Sequence, residues 1–296
     1  MATLKDVKTK IGAVKKTKQI TKAMNMVAAS KLRGAQANMT GFRPYASKFA
    51  EVLGSLAARG GSEPNQLLAK RETVSKVNVV LCTSDRGLCG GFNSNLILKA
   101  EAYIKEKTGS DIQITYTNFG KKGRDWSRKK NFEIKTEYLG VVGGRFGFNI
   151  AVNAGRKLID GFLNGEYDEV HVIYSEFKST AKQIPVMKQL LPIPPLEVSE
   201  KIEGDKKEYL PEHICEPSPA ELLGDMLPKN VFVQIYSALL ETSTSEHAAR
   251  MAAMNNATKA CNDMIGSLTL AYNKARQSAI TADLMDIVGG AEALKG

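Results

Sequence analysis

The residues best suited to chemistry stand together in one loop, Ser84-Asp85-Arg86-Gly87-Leu88-Cys89-Gly90-Gly91-Phe92-Asn93. A hydroxyl, a carboxylate, a guanidinium and a thiol lie between Ser84 and Cys89. The segment before it, Val77 to Cys82, is a short β-branched run, and the segment after it reads as a helix. A Gly-rich loop between a strand and a helix is where α/β proteins hold phosphate groups on backbone N–H. This loop, however, lacks the Gly-Lys-Ser/Thr of a P-loop, and its glycines do not fit GxGxxG. Asp85 reads as a turn residue. Gly143-Gly144-Arg145-Phe146-Gly147 is a second Gly-rich turn with a structural reading. His171, His213 and His247 fall on a strand, a connector and a helix, with no nucleophile–base–acid set and no metal spacing. Cys82, Cys89, Cys215 and Cys261 form no CxxC pair and read as reduced thiols. A Cys82–Cys89 disulfide is not expected. Neither active-site chemistry nor a cofactor or metal is called for.

The elements that would carry this loop alternate. Val77–Cys82 reads as a strand buried on both faces, 93–107 as a helix, Ile112–Thr117 as a strand. A basic helical segment carries the single Trp126, 148–163 reads as a helix, Val170–Tyr174 as a buried strand, and Ile184–Leu191 as the last strand. Strand, helix, strand, helix is the pattern of a Rossmann-like α/β layer with a mostly parallel sheet. Six prolines between Pro192 and Pro219, with a charged run at 200–208, make a connector. Ser218-Pro219-Ala220-Glu221 then reads as a helix start: Ser as N-cap, Pro in the first turn, Glu in the capping-box position.

Two long helices flank this layer. Residues 3–57 read as one helix with a kink or break near Phe42, forced by Pro44. Leu4, Val7, Ile11 and Val14 form a stripe that the lysines at 15, 16 and 18 interrupt. It is expected to resume offset at Ile20, Met24, Val27, Leu32 and Ala35. The C-terminal helix, roughly 60–70 residues long, carries heptads with Met254, Cys261, Leu268, Ala275 and Ala282 at one core position. Ala257, Met264, Ala271, Ser278 and Met285 stand at the other. Two such helices can bury their stripes only against each other. The expected fold is therefore α/β plus coiled coil: terminal helices paired antiparallel around an inserted α/β domain. The boundaries are 1–58 for the N-terminal shaft helix, 70–195 for the α/β domain, 196–218 for the connector and 219–296 for the C-terminal shaft helix.

Charge narrows the classes. Residues 1–50 hold eleven basic residues against the single Asp6, a net +10 that equals the excess of the whole 296-residue chain. The rest balances, so the protein has one positive rod, which suits an acidic partner. With 43% apolar residues and no run approaching the ~20 needed to cross a bilayer, a water-soluble globular class is expected. No apolar stretch opens the chain, so no secretory signal is expected. Two readings remain open here. A coiled-coil protein reading nucleic-acid phosphates would bind with steep salt dependence. An α/β enzyme with helical arms would have a ligand pocket at the Ser84–Asn93 loop.

Particular words narrow them further. Residues 20–33 (ITKAMNMVAASKLR), 84–93, and the C-terminal runs SEHAARMAAM, LAYNKARQ, IT and IVGGA closely resemble the gamma subunit of the rotary proton-translocating ATP synthase. The chain is thereby identified as a member of that family, bacterial in type because the helix begins with no transit peptide. The resemblance implies a non-catalytic central-stalk rotor subunit coupling rotation of a proton-driven c ring to ATP synthesis or hydrolysis in an alpha/beta hexamer. Its partners would be the alpha, beta and epsilon subunits and the c-subunit ring, with no nucleic acid. Its place would be the cytoplasmic face of the bacterial inner membrane, held there indirectly through the complex. By matching positions, Arg86 and Cys89 lie near an acidic lever loop of beta. Arg276 and Gln277, with Thr281 beside them, meet a beta-subunit loop, and Met24 and Arg250 lie in the coupling region. Glu208 and Tyr209 lie near the c ring. Chloroplast relatives carry an inserted paired-Cys switch, and this chain has no such insertion, so thiol regulation of that kind is not expected.

Overall fold

The computed structural model describes residues 4–59, 65–71, 73–107, 112–194 and 218–294. The connector at 196–217, with Glu208, Tyr209, His213 and Cys215, lies outside the described residues. Two compact units form: Met1–Ala29 with Arg250–Gly296, and Ser30–Ala249. Helices α1 (Leu4–Arg59) and α5 (Pro219–Ala293) each contribute to both.

In the first unit α1 and α5 run antiparallel. Thr21 Oγ1 lies 2.8 Å from Thr258 Oγ1, and Asn25 Nδ2 donates to the Met251 carbonyl at 2.8 Å. The seam differs from the one expected. On α1 no offset occurs. Leu4, Val7, Ile11, Val14, Lys18, Thr21, Asn25 and Ala28 keep one 3-4 spacing and are all at least partly buried. Ile20 and Val27, assigned to a resumed stripe, are 59% and 58% exposed. The stem of Lys18 and the hydrogen-bonded Thr21 and Asn25 carry the phase through a stretch that looked interrupted. On α5 the first heptad position is met by Met254, Cys261, Leu268 and Ala275. The second is Thr258, Ile265, Tyr272 and Ala279, one residue later than expected; Met264, Ala271 and Ser278 are exposed. Small or apolar residues fill both candidate rows, and the larger Ile265 and Tyr272 gain more by burial.

The second unit is built on a five-stranded sheet in the order β3-β2-β1-β4-β5. Its strands are β1 (Lys76–Cys82), β2 (Gln113–Phe119), β3 (Glu133–Tyr138), β4 (Glu169–Phe177) and β5 (Gln183–Leu191). The first four pair in parallel and β5 closes one edge antiparallel. β1 is central, and from Val77 to Cys82 every residue is buried. Strand β3 was not expected. It sits at an edge with every second residue exposed, so the sequence EIKTEY carries too little apolar signal.

Helices cover both faces. α2 (Phe92–Lys107) and α3 (Lys121–Lys129) pack Phe92, Leu96, Ala100, Tyr103 and Trp126 onto Val77, Val79, Leu81 and Ile173. On the other face α4 (Phe148–Leu163) joins the inner ends of α1 and α5 around Val80, Val172 and Leu190. A Cβ at Gly155 would run into the Phe232 ring, so glycine is what allows α4 to approach α5 so closely. Pro44 does not end α1, which continues to Arg59. Ser218 does cap α5: its Oγ accepts from the Glu221 amide at 3.2 Å.

In this unit α5 is buried all round from Glu241 to His247. Two of its polar side chains are answered by neighbouring elements. Glu241 accepts from the Phe177 amide at 2.7 Å and from Arg43 Nη2 at 2.9 Å. Ser245 Oγ donates to the Ser175 carbonyl at 3.1 Å. Arg43, one of the eleven basic residues of the first fifty, is thus a structural ion pair tying α1 and α5 to β4.

Candidate functional site

The Ser84–Asn93 loop follows β1 and opens α2. Its shape is held by side chains that saturate its backbone. Asn93 Oδ1 accepts from the Ser84 amide at 3.0 Å, and Asn93 Nδ2 donates to Ser84 Oγ at 2.8 Å and to the Cys89 sulfur at 3.2 Å. Ser84 Oγ donates to the Arg86 carbonyl at 2.6 Å. Asp85 ties the loop to two others, accepting from the Lys121 amide at 3.1 Å and the Gly140 amide at 3.0 Å. The turn into α3 passes so close that a Cβ at Gly120 (φ 91°) would collide with the Thr83 carbonyl. Hydrogen bonds of this density fix a loop's conformation rather than leave it to fluctuate.

The chemistry on offer is limited. Asp85 spends both oxygens on backbone amides, so it is a clamp and not a base. Burial pushes the Cys82 thiol well above its usual range, which leaves it an inert core group. Cys82, Cys89 and Cys261 are free thiols. Among the described residues no group of three or more His, Cys, Asp and Glu could hold a metal ion. His171 pairs with Glu169 at 2.9 Å on β4, and Tyr103 packs against it. A cavity of about 640 Å³ in this unit is lined by Lys31, Asn38, Arg145, Ser243 and His247 among others, none of them in the loop.

The residues singled out by resemblance fall into separate groups. Arg86 is exposed on the loop, whereas Cys89 is buried beneath it. In the other unit, Met24 and Arg250 are both partly buried, beside the Asn25–Met251 hydrogen bond. Arg276, Gln277 and Thr281 are exposed on α5, where Thr281 Oγ1 donates to the Gln277 carbonyl at 3.0 Å. Leu88 was passed over in the sequence. It is the loop's exposed apolar residue, and only its backbone conformation, a φ of 63°, marks it out.

The far end of α5 is equally distinctive. By the Thr21–Thr258 register, Leu4 stands level with about residue 275. The described helix runs on from there for about 28 Å at 1.5 Å per residue. From Ile280 to Leu294 every residue is exposed, including Ile280, Leu284, Met285, Ile287 and Val288. No described helix is long and apolar enough to cross a membrane.

Known proteins share this design. A family model described as ATP synthase matches residues 3–294. The ATP synthase gamma chain of Desulfosudis oleivorans is 71% identical over the whole of both chains. That of Desulforapulum autotrophicum is 63% identical over 99% of this chain and all of the relative. Among solved structures, a central-stalk and c-ring structure of Tetrahymena thermophila mitochondrial ATP synthase contains a chain 26% identical to this one. The match covers 80% of this chain and 99% of that one, with a TM-score of 0.58. A rotor chain of Euglena gracilis mitochondrial ATP synthase, 19% identical, shares the fold over 94% of this chain and 98% of its own, with a TM-score of 0.63. With the antiparallel terminal helices, the mostly parallel sheet and full-length identity above 60% in agreement, the chain belongs to the ATP synthase gamma-chain family.

Proposed function

We propose that this central-stalk subunit of ATP synthase is a turning shaft that couples rotation to nucleotide chemistry while contributing no catalytic group of its own. The observation that carries the reading is the apolar end of α5, Ile280 to Leu294, exposed along its length. A lone helix of this kind cannot bury its apolar residues within its own unit. It suits a close-fitting sleeve supplied by other subunits, here the alpha and beta subunits. Side chains such as Ile280, Leu284 and Val288 present few polar groups that could lock into fixed bonds, so they would slide.

A closed ring of alternating subunits would offer equivalent sites. An asymmetric rod inside it presents a different face to each, so each site takes a different affinity. Turning the rod moves each site through those states, and by linkage nucleotide turnover also turns the rod. The exposed Arg276, Gln277 and Thr281, and Met24 and Arg250 below them, are assigned to rotor–stator contacts. Arg86 joins them from the loop, with Cys89 acting through the loop it supports. The exposed lysines of α1 (Lys5, Lys8, Lys15, Lys16, Lys22) suit acidic protein surfaces in this setting rather than nucleic acid. The epsilon subunit and the c ring, with Glu208 and Tyr209 near the latter, complete the partners. The protein would sit peripherally at the cytoplasmic face of the bacterial inner membrane.

Tagging this chain in its own cells and recording the mass and ATPase activity of what co-purifies tests the reading. Recovery in an ATPase with one copy per three alpha–beta pairs is expected; recovery alone, or with nucleic acid, defeats it. In that complex, Arg276→Ala is expected to lower the coupled rate, and an unchanged rate removes Arg276 from the contact.

A further inference from the structure

We propose that the cavity between α1, the Gly143–Gly147 turn and α5 binds a small phosphorylated molecule with an apolar or aromatic body. Its three walls follow from simple spacing. On α1, Lys31, Gly34, Ala35 and Asn38 recur at i, i+3, i+4 and i+7 and so share one helix face. On α5, Leu240, Ser243 and His247 do the same and make a floor, each no more than 5% exposed. The third wall is the turn. A Cβ at Gly143 (φ 78°) would run into the Glu246 carboxylate, and one at Gly144 would lie 2.7 Å from the Gly140 carbonyl oxygen. Glycines at both places let the turn close on itself, seat against α5 and carry the exposed Arg145 to the cavity. The α1 wall stays open because a Cβ at Gly34 would meet nothing within 4 Å.

The lining selects the ligand. Lys31 and Arg145 bring two cationic side chains, His247 an imidazole, and Asn38 and Ser243 neutral hydrogen-bonding groups; among the described residues no carboxylate lines the cavity. Arginines elsewhere in this unit are matched internally, Arg43 with Glu241 at 2.9 Å and Arg128 with Glu137 at 3.1 Å. Among the described residues Lys31 and Arg145 form no ion pair. An arginine fork and a lysine, with hydroxyl and amide groups beside them, match the oxygens of a phosphate group. Volume argues for more than bare phosphate: about 640 Å³ lies in the range of sites for whole organic ligands. Leu240 and Phe146, whose ring packs on Tyr236 at 5.8 Å, offer apolar area for the body of such a molecule. A recess with an enclosed floor suits a small molecule better than the broad surface of another subunit. The inference goes beyond the shaft reading and does not depend on it.

Equilibrium dialysis of the isolated full-length chain against labelled ADP, with no other subunit present to supply a nucleotide site, tests it. Saturation at one equivalent per chain is expected, with inorganic phosphate competing about tenfold more weakly. At about ten times its Kd, ADP should raise the unfolding temperature by about 4 °C. Lys31→Gln and Arg145→Gln should each weaken binding about tenfold and leave the unfolding temperature of the unliganded chain unchanged. Gly34→Leu fills the cavity from an unobstructed helix position, so it should abolish binding with that temperature unchanged or raised. Lys99→Gln removes the same charge from the exposed side of α2, on the other face of the sheet, and should change nothing. No saturable binding at about 1 mM ADP overturns the proposal. So does an equal loss in Lys99→Gln, which would mean diffuse attraction to a basic chain, or full binding in Gly34→Leu, which would place the ligand elsewhere. Inorganic phosphate binding as tightly as ADP overturns the organic body. A hexaglutamate peptide binding more tightly than ADP through Lys31 and Arg145 overturns the phosphate, in favour of an acidic protein segment.

Discussion

The same two helices live under different rules in the two units. In Ser30–Ala249, α5 is packed against β4, α4 and α1, and from Asn230 to Ala248 no residue is more than partly exposed. In the unit of Met1–Ala29 with Arg250–Gly296, one narrow seam is buried and the remaining faces meet solvent. Where the helix is surrounded, even carboxylates are enclosed and must be answered one by one, as Glu241 is by Arg43 and the Phe177 amide. Where it has a single neighbour, polar residues sit in the seam itself: Lys18, Thr21 and Asn25 on α1, Thr258 on α5. A helix pair built only of apolar and small residues could slide by a heptad. Polar groups that meet at one register only forbid it. One unit, the mount, has its helices fixed by packing; the other, the rod, keeps its outer surface in solvent.

Unequal core substitutions would sharpen this contrast most. Leu239→Ala, fully buried in the mount, is expected to cost about 3 kcal/mol in chemical denaturation. Leu268→Ala, only partly buried in the seam of the rod, should cost less, about 1 kcal/mol. Equal losses would break the comparison. Glu241→Ala leaves Arg43 and the Phe177 amide without their acceptor and is expected to cost about 2 kcal/mol. A cost near zero would mean that the clamp is idle.

Acid provides a smaller test. Burial of Asp168 opposes its ionisation, but the amides of Ser75 and Lys76 and the Ser75 hydroxyl outweigh it and hold the carboxyl below its usual range. A depressed folded pKa means stability that is complete above the ordinary aspartate value and is lost as pH falls through the lower folded one. Asp168→Asn should therefore cost about 1 kcal/mol at pH 7 in urea titrations, a cost that shrinks as pH falls below the ordinary aspartate value. A difference that grows toward acid would reverse the sign.

The smallest energetic effect has the largest consequence for the rod. Thr21→Val with Asn25→Leu replaces seam hydrogen bonds by apolar contacts and should leave stability within about 1 kcal/mol of wild type, or slightly above it. Register is what it should lose. Spin labels on the exposed faces of the two helices, in a chain free of native thiols, are expected to give one narrow distance distribution in wild type and a broadened one in the double variant. A single narrow distance in both would show that the small residues alone set the register.

What could be read from the sequence followed the strength of each local signal. Residues 148–163 were legible as a helix because periodicity and both boundaries agree, and α4 is Phe148–Leu163. Ser218 was legible as a cap because the capping residue and the first-turn proline stand together. The α5 seam was misphased by one residue in its second row because Ala257, Met264 and Ala271 are as apolar as their neighbours; only the partner helix decides between them. The α1 seam seemed broken because three of its members are polar, while the apolar Ile20 and Val27 beside them are exposed. β3 escaped notice because an edge strand needs few buried residues. The loop at Ser84–Asn93 was visible as a motif, but the left-handed leucine within it exists only as a dihedral angle.

In the shaft reading this chain turns while the subunits around it stay still. With the hexamer fixed to a surface and a bead attached to the exposed loop side of this chain, adding ATP gives the direct measurement. Stepwise rotation in one direction, three steps per turn, is the predicted result. ATP hydrolysis at full rate with the bead stationary would contradict it.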